Sequence, residues 1–327
     1  MIPFSILDLC PILQNNTIAQ AFKDCVTLSQ LAEKLDFKRY WIAEHHNMPG
    51  IASAATSLVI SHIANATKHI RIGSGGIMLP NHSPLVIAEQ FGTLTTIYGD
   101  RIDLGIGRAP GTDPLTANAL RRHSDIDFDS FPDDVVELQA LLSPKQPNQK
   151  LIAIPGEGTQ VPIWLLGSSL YSAGLAAHLG MPYAFASHFT ADYLLQALAL
   201  YKKQFCPTHK QVEPYSMAGV VVIVADTDDE AHYLFSSMVQ QTAAIHKGSS
   251  IPLPPPNKDF LITNIESSSV THSLSEAIIG SPNTARQKLQ DFIQKTKVDE
   301  LMVTSRIYDE TARLNSFTKI AEIRKSL

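Results

Sequence analysis

Eight apolar runs of β-type residues punctuate this chain of 327 residues, and a segment with helical spacing follows each one. The runs span 4–9, 39–43, 70–79, 102–106, 161–166, 183–186, 218–225 and 300–305. None shows the polar alternation of a half-exposed strand, so both faces of each are expected to be buried. After the first run, Ile18, Ala21, Phe22, Cys25, Leu28, Leu31, Ala32 and Leu35 repeat at helical period behind a capping Thr17. Helices are likewise predicted near 53–66, 84–98, 132–142, 171–179, 191–205 and 283–295, from Asp226 or Thr227 onward, and at the C-terminus. This order predicts an α/β fold, a (β/α)8 TIM barrel with an insertion between strands seven and eight, in preference to an open doubly wound sheet.

No shift in composition divides the chain, so residues 1–327 are read as a single barrel domain. Two stretches interrupt the pattern. Residues 108–129 are long and polar. Residues 247–281 carry Pro252, Pro254, Pro255 and Pro256 and read as irregular, a candidate mobile lid.

A hydrophobic fraction of 44% suits a large core, and a net charge of −5 leaves no basic footprint for nucleic acid or an acidic membrane. Cys10, Cys25 and Cys206 have no metal-binding or disulfide spacing, which suggests reduced thiols in a cytoplasmic protein. The segment Met1–Phe4 lacks the basic start of a secretory signal, and no apolar run approaches the ~20 residues of a membrane helix.

In a parallel barrel the chemistry sits where strands end. The second run ends in Glu44, His45 and His46. A metal site would need further ligands, with His82 as the nearest candidate, and no metal is expected. The other readings are proton transfer by one imidazole, its tautomer set by Glu44, or plain polar strand-end residues. The third run contains Gly73, Ser74, Gly75 and Gly76, where glycine marks either a bulge with close approach of a flat ligand or a tight barrel corner.

The segment from Arg101 to Asp113 tempts a dinucleotide-binding reading, but Pro110 stands where the third glycine belongs. Arg108 instead reads as an anion ligand or a surface salt-bridge partner. The fifth run ends in Gly167, Ser168 and Ser169 just before a helix, which suits a phosphate or simple N-capping. Gathered at one mouth, these groups would hold a flat ring with one phosphate, which points to FMN.

The motifs Trp41–Gly50, Gly73–Pro80, Ala88–Phe91, Arg101–Asp113, Trp164–Ser169 and Glu300–Ser305 together resemble those of the luciferase-like flavin-dependent monooxygenases. The resemblance implies a barrel, usually a homodimer, that takes reduced FMN from a separate flavin reductase and oxygenates a small organic substrate with O2. The helix around 57–66 is the dimer face it suggests. His45 falls at the catalytic histidine, flanked by Glu44 and His46. Gly75 and Gly76 fall where a non-prolyl cis peptide underlies the flavin. Cofactor-binding candidates are Ser74, Gly75, Gly76, Arg108, Gly167, Ser168, Ser169 and Ser172. Gly107 replaces the reactive cysteine of bacterial luciferase, so a luminescent aldehyde oxidation is not implied. Rival readings are an F420-dependent hydride-transfer oxidoreductase and a non-catalytic flavin-binding paralogue.

Overall fold

A computed structural model describes residues 2–120, 130–209, 211–260 and 268–327. Its strands are β1 (Phe4–Asp8), β2 (Arg39–Ile42), β3 (Arg71–Met78), β4 (Ile102–Gly107), β5 (Ile163–Gly167), β6 (Tyr183–Phe185), β7 (Ser216–Val224), β8 (Ile278–Gly280) and β9 (Glu300–Thr304). Eight of them close a parallel ring in the order β1, β2, β3, β4, β5, β6, β7, β9 and back to β1. The expected (β/α)8 barrel is therefore present.

The helices are α1 (Ile18–Lys34), α2 (Thr56–Ala66), α3 (Pro84–Tyr98), α4 (Pro114–Leu120), α5 (Phe131–Leu142), α6 (Leu170–His178), α7 (Leu194–Gln204), α8 (Asp228–His246), α9 (Ser268–Ser273), α10 (Pro282–Thr296) and α11 (Glu310–Arg324). Their starts follow local chemistry. Thr17 accepts from Gln20 N at 3.2 Å, and Thr227 accepts from Glu230 N at 3.1 Å beneath an acidic first turn.

Two expectations about loops are corrected. The polar stretch after Arg108 contains α4, because Asp113 caps the Thr116 amide at 3.0 Å and Pro114 suits the first helical turn; residues 121–129 lie outside the described residues. The stretch 247–281 is not irregular throughout. It contains α9, and it contains β8, whose Ile278 and Ile279 are buried where they pair with Val222 and Ile223 of β7. Its prolines flank Leu253, which is fully buried and exchanges backbone hydrogen bonds with Ile12 and Gln14 at 2.8 Å. Residues 261–267 of this stretch lie outside the described residues.

Alternate residues of most strands fall into two apolar clusters, and Val221, Ile223 and Ile279 join a third with α8. Ile6, Tyr40, Ile42, Ile72, Leu104, Ile106, Leu301 and Val303 pack outward against helix residues such as Cys25, Leu28, Ile63 and Phe91. Leu7, Leu9, Trp41, Ala43, Trp164, Met217 and Met302 fill the interior. Both faces are apolar, which is why the runs lack polar alternation.

Below the interior layer lies a buried ionic one. Arg39 donates to Asp103 at 2.7 Å and to Glu300 at 2.8 Å, while Arg71 pairs with Asp103 at 2.6 Å. Ser5 and Tyr215 also donate to Glu300. These contacts tie β1, β2, β3, β4 and β9 together beneath the edge-on pair Trp41 and Trp164, whose ring centroids are 5.3 Å apart. Close neighbours explain the adjacent glycines: a Cβ on Gly73 would meet Asp103 O at 2.4 Å, and one on Gly75 would meet Leu7 Cδ1 at 2.6 Å. The Cβ on Gly73 would also come within 2.9 Å of Trp41 Nε1, and that on Gly75 within 3.1 Å of Trp41 Cβ. Close barrel packing thus accounts for Gly73. The β3–β4 register also shifts between Ser74 and Ile77, so a bulge is present as well.

Candidate active site

The C-terminal ends of the barrel strands surround a cavity of about 330 Å3, within the range of small-molecule sites. Its apolar floor is Leu7, Leu9, Trp41, Ala43, Met217 and Met302. Gly75 and Gly76 form part of the wall, and the peptide between them is cis, as the resemblance implies. Ser74 is fully buried behind this wall and donates to Gly105 O at 2.8 Å; it does not line the cavity.

At the β2 end the structure separates the three adjacent residues. Glu44 is buried and turns away from His45. Its Oε1 accepts from Nε2 of His46 and of His82, both at 2.8 Å, and its Oε2 accepts from the Met78 amide at 3.1 Å. Burial raises the pKa of this carboxyl, but the donors from His46 and His82 outweigh it and bring the value down to about 2. Of the two adjacent imidazoles, Glu44 thus holds that of His46, together with His82, and not that of His45; neither Glu44 nor His46 lines the cavity. The donor atoms of Glu44, His46 and His82 lie within 4.8 Å of one another, close enough for a metal. They are already engaged in hydrogen bonds with each other, which a metal would have to displace.

His45 does line the cavity. Its Nδ1 faces Gly111 O at 3.2 Å, which makes Nδ1 the donor and leaves Nε2 as the proton acceptor of a neutral ring. Burial lowers its pKa, and the positive charge of Arg306 adds to the effect. The contact depends on Gly111, whose φ of +63° suits glycine.

Across the cavity, β5 runs into α6. Gly167, Ser168, Ser169 and Ser172 all line the cavity. Ser169 caps α6 by accepting from the Ser172 amide at 3.3 Å, so the N-cap reading holds for that residue. The Ser172 hydroxyl is committed to Ser169 O at 2.9 Å and faces Tyr183 OH at 3.2 Å. A Cβ on Gly167 would meet the Ser172 Oγ at 2.4 Å, so glycine is required there. Arg108 is exposed and lies over the Tyr171 ring, 4.3 Å from its centroid, on the same side of the mouth. Among the described residues it has no salt bridge.

Two groups beyond strand ends, one of them in the cavity lining, were not anticipated. His188, just beyond β6, lines the cavity, and both its ring nitrogens are buried without a hydrogen-bond partner. Burial and the Arg306 charge push its pKa down to about 3. Arg306 lies two residues beyond β9. The rule that flagged Glu44 and His45, titratable residues just past a strand, also covers both of these.

A family model described as luciferase-like monooxygenase matches residues 3–300, and the chain belongs to that family. A luciferase-like monooxygenase of Escherichia coli (strain K12) is 49% identical over 328 residues, covering 100% of this chain and 98% of that protein. N-acetyl-S-alkylcysteine monooxygenase of Bacillus subtilis (strain 168) is 37% identical over 190 residues, 57% of each chain. The crystal structure of apo-MsnO8 superposes with a TM-score of 0.91 at 32% identity and covers 99% of both chains. Two more distant structures share the fold. One is the oxygenating constituent of 3,6-diketocamphane monooxygenase from Pseudomonas putida in complex with FMN (TM-score 0.71, 18% identity, 98% and 97% covered). The other is an F420-dependent secondary alcohol dehydrogenase (TM-score 0.67, 13% identity, 98% of each).

Proposed function

We propose that this protein is a monooxygenase that binds reduced FMN and uses O2 to oxygenate a small organic substrate. The observation that carries this reading is the polarity of the cavity. One side presents Arg108 and the N-terminus of α6 at Ser168 and Ser169, the opposite side presents neutral His45, and an apolar floor lies between. The first side fits a phosphate, because a cation and unpaired helix amides favour an anion. The flat wall at Gly75 and Gly76 fits a ring. Bound reduced FMN would supply the electrons by which one atom of O2 is transferred to the substrate and the other leaves as water.

The protein's part is to orient and to handle protons. Ser168 and Arg108 anchor the phosphate, and the floor of Leu7, Leu9 and Met302 keeps water from the reacting atoms. His45 accepts a proton at Nε2, with Gly111 holding the ring in that tautomer. Glu44 and His46 act behind it, by fixing the loop that carries it. A separate flavin reductase, a homodimer through the 57–66 helix, and a cytoplasmic location complete the reading. The apolar floor and the relative named for N-acetyl-S-alkylcysteine make thioethers the first class for a substrate screen.

The test is a fluorescence titration of the purified protein with FMN, reduced FMN and F420. Reduced FMN should bind tightest, and Ser168→Asp should weaken it by about tenfold or more, since a carboxylate would face the phosphate. Tighter binding of F420 would replace the cofactor, and no binding of any of the three would remove the flavin reading. Replacing His45 with Asn should change the rate at which bound reduced FMN is reoxidised by O2; an unaltered rate would take His45 out of the mechanism.

A further inference from the structure

The flavin reading leaves one cation at the barrel mouth without a task. Arg306 is partly buried beyond the end of β9; Met302 of that strand lines the cavity, and Arg306 stands outside the lining. Its Nη1 donates at 2.6 Å to Oε1 of Gln241, an uncharged partner on α8. Gln241 is itself held in that orientation, because its Nε2 donates to Ile251 O at 2.9 Å. Among the described residues no carboxylate pairs with Arg306. Burial lowers its pKa to about 10, with no acidic neighbour to offset it.

The surroundings are short of hydrogen-bond partners too. Both ring nitrogens of His188 are buried and unpartnered, and a Cβ at Gly219 would sit 2.4 Å from Nδ1. The hydroxyls of Ser305, next to Arg306, and of Ser237, one helical turn before Gln241, are also buried without partners. Arg306 is near enough to His45 and His188 for its charge to act on both.

A guanidinium held partly buried with no anionic partner is costly, and its planar fork matches a carboxylate. The phosphate assigned to FMN does not answer this need. Arg108 and Ser168 stand at the ends of β4 and β5, whereas β9 is four strands from β4 in either direction around the ring. We infer that the substrate has an apolar body and a carboxylate, and that Arg306 binds the carboxylate, with Gln241 orienting the guanidinium and His188 as a second donor. This rests on the reading of the cavity as the cofactor and substrate site.

Calorimetric titration of the full protein, both flavin-free and FMN-saturated, with hexanoate and its neutral analogue hexanamide tests the inference. Hexanoate should bind at least about tenfold tighter than hexanamide. Arg306→Gln should abolish that preference and Arg306→Lys should keep part of it, with circular dichroism confirming the fold. Equal binding of the two probes by the wild type, binding of neither, or a preference that survives in Arg306→Gln would overturn it. Failure of FMN to saturate the protein would remove the flavin reading alone, and the carboxylate preference would still be measured in the flavin-free titration.

Discussion

Glu44 shows how one buried carboxylate can organise a loop. It gathers His46, His82 and the Met78 amide from two separate strand ends. Its pKa falls from an ordinary 4.5 to about 2 on folding, which corresponds to roughly 3 kcal/mol of stability. Because the folded value is the lower one, this contribution is complete above about pH 4.5 and is lost as pH falls through about 2. Glu44→Gln should therefore lower stability at neutral pH by about that order and flatten the acid limb of the pH–stability curve. Urea denaturation from neutral pH down to about pH 3 would show it, and a variant as acid-sensitive as the wild type would refute the assignment. His82 was visible in the sequence only as a remote metal candidate, since nothing local to residues 79–82 shows that they fold back onto Glu44.

Among the elements, β3 is the one whose composition matters most. Three glycines in an apolar strand announced that something approaches closely, but not what. For Gly73 it is the backbone of Asp103 and the Trp41 indole; for Gly76 it is the carbonyl of Gly105, whose oxygen would stand 2.7 Å from a Cβ. Gly76→Ala would push two strand backbones apart and should cost about 1–3 kcal/mol, as overpacking does. Gly107→Ala provides the contrast. Its Cβ would meet only the flexible Met78 side chain, 3.2 Å from Sδ, so a loss below about 1 kcal/mol is expected. Equal midpoints for the two variants in thermal unfolding would contradict this account. The same limit on local reading explains β8. Its three residues are too few to carry a period, and its place is set by the C-terminal half of β7 and by α8.

At the scale of the whole molecule, the ionic layer under the tryptophans joins β1, β2, β3, β4 and β9 of the ring. Arg39 bridges Asp103 and Glu300, which are both fully buried, and it lies 4.6 Å from the Trp164 ring centroid. Arg39→Leu would leave two carboxylates short of their cation, and a loss of about 3–5 kcal/mol is expected, read as a lowered midpoint in chemical denaturation. A variant of unchanged stability would mean that Arg71, paired with Asp103, and Lys38, whose Nζ lies 3.2 Å from Glu300, suffice. The eight-unit order, most helix starts and the residues at strand ends were determined by the sequence alone, because period, caps and turn chemistry act over a few neighbouring positions. Only the tertiary structure decided that Glu44 serves His46 and His82, that His188 enters the cavity, and that Arg306 meets Gln241 instead of a carboxylate. Apart from Glu44 with His46, those pairings join residues tens of positions apart, and which of them form depends on how the closed barrel turns each strand end toward its neighbours.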